Sequence, residues 1–111
     1  MQPEITLKLV FWIFIALAVA LEVFGDVFFK KWSLENEHNL LYMGLITYFI
    51  GSIFWAVSLK YEYLSKAIST FTILNLIIVA LVGLLYFKEN LSLINKLGIA
   101  LGVFSIILIE V

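Results

Sequence analysis

The chain contains no cysteine and a single histidine, His38. Without thiols it forms no disulfide and no thiolate metal site, and one imidazole does not make a metal site by itself. No metal and no cofactor is therefore expected. Arginine is also missing, so all seven basic residues are lysines; set against eight acidic ones they give a net charge of −1. That balance excludes the basic excess of a nucleic-acid binder and the polybasic arm of a lipid-surface protein. Repeats and low-complexity segments are lacking. No nucleophile–base pair with the spacing of an active site stands out, so the chain is not expected to be an enzyme.

Apolar sequence fills what is left. Of the 111 residues, 64% are hydrophobic and the mean hydropathy is +1.12, against about 45–50% apolar residues in soluble domains. Lipid is the solvent this composition suits. About 20 apolar residues cross a bilayer core as a helix, and four runs approach that length: 9–29, 40–59, 67–87 and 93–109. The segments between them are short, and none is long enough for a soluble domain. The polar/apolar alternation of barrel strands is absent. The expectation is one all-α membrane domain over residues 1–111, a multi-pass protein of the cell (inner) membrane with four transmembrane helices.

Lysines ordinarily orient such a chain by their excess on one side. Here Lys8, Lys60 and Lys66 fall on the side of the N-terminus, and Lys30, Lys31, Lys88 and Lys96 on the other. So even a split leaves two readings open: a partner or another signal sets the orientation, or the chain inserts both ways and pairs head to tail. Four helices also leave little interior for an aqueous pathway, whereas a dimer of eight offers a cavity at its interface.

One carboxylate interrupts the oil of the first run. Glu22 stands near its middle, where burying a charge costs roughly 2.5–3.5 kcal/mol on insertion scales. Facing a cavity, pairing, or staying protonated meets that cost. A group able to hold either a proton or a cation can exchange one for the other, which makes Glu22 the candidate proton- and substrate-binding residue. Asp26 and Lys30 follow at steps of four and share its helix face; Asp26 either pairs with Lys30 or assists Glu22. Ala18 and Gly25 flank Glu22 and leave room for a ligand. In the second run Gly44, Tyr48, Gly51, Trp55 and Ser58 form one stripe of small and aromatic residues. It suits either helix packing or a cavity wall in which Tyr48 and Trp55 offer ring faces to a cation. Thr72 and Asn75 are polar positions in the third run; the partner of Asn75 is either structural or Glu22. Trp12 and Trp32 read as interfacial anchors. Gly98 and Gly102 give the fourth run a small-xxx-small face suited to dimerisation or to contact within its own subunit.

These features together resemble the small multidrug resistance family over nearly the whole chain. The segment ALAVALEVFGDVFFKKWS, residues 16–33, is similar to that family's first-helix motif, a membrane Glu followed by Lys eight residues later. FWAVSLKYEYLSKAIS, residues 54–69, resembles its helix 2–3 connection, and GIALGVFSIILI, residues 98–109, its Gly-rich fourth helix. The resemblance implies an antiparallel homodimer of eight helices, or a dimer with a paralogous subunit, in which two copies of Glu22 share one cavity. It also implies a proton-coupled antiporter exporting small organic cations. Two departures stand out. The third helix has Phe71 where the family carries Tyr and Trp, and Ser65 stands where the family has Pro. The segment FKEN, residues 87–90, resembles instead the loop before the last helix in the wider drug/metabolite transporter superfamily. That likeness implies the alternative, a subunit of a lipid or lipid-linked sugar flippase.

Overall fold

A computed structural model describes residues 3–110, with side chains over 6–109. Its regular structure is entirely helical among the described residues: α1 is Pro3–Glu35, α2 His38–Ser58, α3 Leu64–Leu85 and α4 Leu93–Glu110. α1, α2 and α3 are long and apolar enough to cross a membrane, and α4 is a shorter apolar helix. With 18 residues, α4 is about 27 Å long at 1.5 Å per residue, just under a hydrocarbon core of about 30 Å.

The helix ends depart from the ends of the apolar runs. A loop over 30–39 is expected from hydropathy, yet α1 continues through Lys30, Lys31 and Trp32 and reaches 33 residues. Lys, Leu and Glu are good helix formers, and polarity ends a span without ending a helix. Asn36 stops it. Its φ of 58° is left-handed, a conformation Asn tolerates after a helix, and its N–H donates to the Trp32 carbonyl at 2.7 Å. Only Asn36 and Glu37 separate α1 from α2. α2 tightens as it ends, with the N–H groups of Leu59, Lys60 and Tyr61 each reaching back three residues, which occupies carbonyls the helix would otherwise leave open. α3 ends at Leu85, before the expected 87. Lys88 follows with a φ of 54°, and the Glu89 N–H donates to the Gly83 carbonyl at 2.9 Å. At the start of α4 the Ser92 hydroxyl accepts from the Asn95 N–H at 3.1 Å, an N-cap that satisfies one of the helix's orphan donors.

The chain divides into two compact units, one running to Leu64 and one from Ser65. In the first, α1 and α2 form an antiparallel hairpin. Phe11, Ile15, Ala18 and Gly25 make a buried stripe along α1 at helical spacing, and Gly44, Gly51 and Ser58 make one along α2. Aromatic contacts fasten the open end: Phe14 lies 6.1 Å from Phe54 and stacks on Tyr61, centroids 6.1 Å apart and rings within 2° of parallel. In the second unit, a Cβ placed on Gly102 of α4 would lie 3.6 Å from Ile73 of α3. Large apolar side chains remain exposed on every helix, among them Phe24, Phe49, Leu81 and Leu101. In water such surface would be a liability; in a bilayer it is free to face lipid or another subunit.

Candidate functional site

Small residues set the geometry around Glu22. A Cβ on Gly44 would lie 2.5 Å from the Phe29 ring, and one on Gly25 would overlap the Tyr48 ring and stand 3.4 Å from the Gly44 carbonyl. A Cβ on Gly51 would lie 3.2 Å from the Leu21 Cβ, 3.4 Å from the Glu22 Cγ and 3.5 Å from the Ala18 carbonyl. The two helix backbones therefore approach along Gly25, Gly44 and Gly51, as small residues allow. Glu22 is half-buried and lies over Gly51 in the middle of this seam.

Asp26 is one turn further along the same face, and the Tyr48 hydroxyl donates to its Oδ1. Tyr48 is fixed from three sides: the hydroxyl on Asp26, the ring over Gly25, and Phe29 at a centroid distance of 5.2 Å. An Asp26–Lys30 pair is the simpler expectation from spacing; the structure places the Tyr48 hydroxyl on Asp26. The sequence held a clue to this contact. Asp26 and Tyr48 lie nearly the same number of residues from the Asn36–Glu37 turn, so a tight hairpin sets them opposite each other. Trp55 is half-buried on α2, and the Ser58 hydroxyl is turned to the Trp55 carbonyl at 2.6 Å. Ala18, Glu22, Gly25, Asp26, Tyr48 and Gly51 thus come together, two carboxyl groups and a phenol among close-packed backbone.

The second unit holds the other candidates. Thr72 and Asn75 line a groove of about 720 Å³ with Glu89, Asn95, Gly98 and a set of aliphatic side chains. The Asn75 Oδ1 is buried with no hydrogen-bond partner among the described residues. Gly102 faces α3, while a Cβ on Gly98 would meet nothing within 4 Å. The Glu89 carboxylate lies over Gly83, 2.5 Å from where a Cβ would stand. No group of three or more His, Asp or Glu side chains able to hold a metal occurs among the described residues.

Residues 4–111 match the EamA-like transporter family. The chain belongs to that family. The match places it in the drug/metabolite transporter superfamily, the wider group to which FKEN pointed, and it is coarser than a small multidrug resistance assignment. Among curated proteins, the uncharacterized membrane protein YvaE of Bacillus subtilis (strain 168) is 32% identical over 105 residues, covering 89% of this chain and 86% of that one. No solved structure matches. An EamA-like chain with these helices is a multi-pass membrane transporter, and enzymatic activity is not typical of its family.

Proposed function

We propose that the protein is a proton-coupled antiporter of the small multidrug resistance type, exporting small organic cations across the cell (inner) membrane with Glu22 shared by proton and substrate. The observation that carries this reading is the position of Glu22. A carboxylate lies in the middle of an apolar helix, half-buried over Gly51, in a chain of a transporter family. Packing alone gives no reason to keep a carboxyl group there, since an apolar residue would fill the seam without its desolvation cost.

In the proposed cycle, ionised Glu22 binds the cation, the subunits rock, and a proton from the other side displaces the substrate. Tyr48 and Asp26 border the site one turn away, and Trp55 offers a ring face on the same helix as Tyr48. Two copies in antiparallel arrangement would bring two Glu22 groups to one cavity, and the even lysine split is consistent with insertion both ways. The dimer contact on α4 is assigned to Gly98 and Gly102, with the exposed Leu97, Leu101, Phe104 and Leu108 on the same helix beside them.

The test is charge movement in proteoliposomes under an imposed pH gradient, using guanidinium, polyamine and quaternary ammonium ions, with Glu22→Gln beside the wild type. Substrate-driven currents that reverse with the gradient and vanish in Glu22→Gln are expected. Equal currents from both would remove Glu22 from the mechanism. Silence from both folded proteins would refute cation antiport and direct the work to lipid flipping with a partner subunit.

A further inference from the structure

The α3–α4 groove lies outside the Glu22 site and has its own chemistry. Its walls are mostly aliphatic: Leu76, Val79 and Ala80 on α3, Ile94 and Ile99 on α4, and Leu91 from the connection. Four polar residues break them, Thr72, Asn75, Asn95 and Glu89. Glu89 is the acidic one among them. The Asn75 Oδ1 has no hydrogen-bond partner among the described residues, and leaving a buried acceptor unmet is costly. The terminal torsion of Asn is soft, so a small rotation offers that oxygen to a donor in the groove. Asn75 on α3 and Asn95 on α4 both line the groove, so both amides border the same space. At about 720 Å³ the groove falls within the range of small-molecule sites, roughly 300–1,000 Å³. Gly98 holds it open, since nothing stands within 4 Å of its Cβ position.

We propose that this groove binds a single-chain primary amine, with the ammonium donating to the amide oxygens of Asn75 and Asn95 and the alkyl chain lying along Leu76, Val79, Ile94 and Ile99. The ammonium supplies the missing donors, and the tail matches the walls. This site goes beyond the proposed transport site and stands whether or not Glu22 exchanges protons.

The test uses the full chain in nanodiscs, with octylamine as probe and a diazirine-bearing octylamine for mapping. Glu22→Gln serves as background, so that the first unit's carboxylate does not supply the signal. Saturable labelling confined to residues 72–80 and 91–99 is expected. Octyltrimethylammonium, which has the charge and the tail but no N–H, should compete about tenfold less well than octylamine, the worth of one good hydrogen bond to a buried acceptor. Asn75→Leu should shrink that difference to what Asn95 contributes while keeping the fold, and Asn75→Leu with Asn95→Leu should erase it. Gly98→Leu should abolish labelling, because its side chain enters the groove without displacing any neighbour. Equal competition by the two amines in the parent protein would overturn the proposal, as would labelling spread over all lipid-facing helices. Labelling present in the wild type and lost in Glu22→Gln would place the amine at Glu22 and overturn it. So would cross-links from the groove to a second copy of the chain, which would make the groove an interface.

Discussion

Changing Tyr48 to Phe removes one oxygen and little else. The ring keeps its seat over Gly25 and its contact with Phe29 at 5.2 Å, so packing of the hairpin is conserved. What disappears is the hydroxyl that donates to the Asp26 Oδ1. Interhelical hydrogen bonds in membrane proteins contribute about 0.6 kcal/mol on average and up to about 1.7 in measured cases. A bond to a carboxyl oxygen stands at the upper end of such ranges. Asp26 is half-buried, so part of the loss is recovered by other partners when the bond is gone. A coupling of about 1–1.5 kcal/mol is therefore expected between the two residues. It is read from a double-mutant cycle over Tyr48→Phe, Asp26→Ala and the double variant, with unfolding followed by detergent titration in mixed micelles. The cycle is needed because Asp26→Ala alone also changes the solvation of the seam. Coupling below about 0.3 kcal/mol, the level of ordinary additivity error, would refute the claim that this bond ties α1 to α2.

Other substitutions probe the same seam and its surroundings. Gly51→Leu should destabilise the hairpin by about 1–3 kcal/mol, the usual cost of forcing side-chain atoms into a filled site, whereas Gly98→Leu should change stability by no more than about 0.5 kcal/mol; detergent titration of both tests the contrast. Lys88→Gly should stabilise by about 0.5–1 kcal/mol, because a φ of 54° strains a side chain and suits Gly; slower unfolding is the readout. Tyr61→Ala should cost about 0.5–1.5 kcal/mol by removing the stack on Phe14, and proteolysis of the α2–α3 connection should quicken in step.

Much of this protein was legible because a bilayer imposes simple rules. Apolar run length identified the helical segments and their order, because a backbone in hydrocarbon must satisfy its own hydrogen bonds. A carboxylate in the middle of such a run singled out Glu22 for the same reason that makes it costly. Helical periodicity identified the stripe from Gly44 to Ser58 as one face, since side chains repeat at steps of three and four whatever they touch. Hydropathy did not locate the helix ends. α1 outruns its apolar segment to Glu35 because helix formation depends on backbone bonding and tolerates Lys and Glu.

The sequence by itself determined the helices, the membrane and the residue that pays for being there. Tertiary structure alone decided which groups meet. Asp26 took the Tyr48 hydroxyl because a two-residue turn folds α2 back in one register, and that register depends on where Asn36 stops α1. The stripe on α2 turned to α1 because Gly44 and Gly51 let the backbones close on each other. Gly98 and Gly102 read alike in sequence, yet one meets Ile73 and the other open space. A helix fixes the spacing of its side chains through local bonds, but what each side chain faces depends on the second helix, and no local pattern encodes that distance.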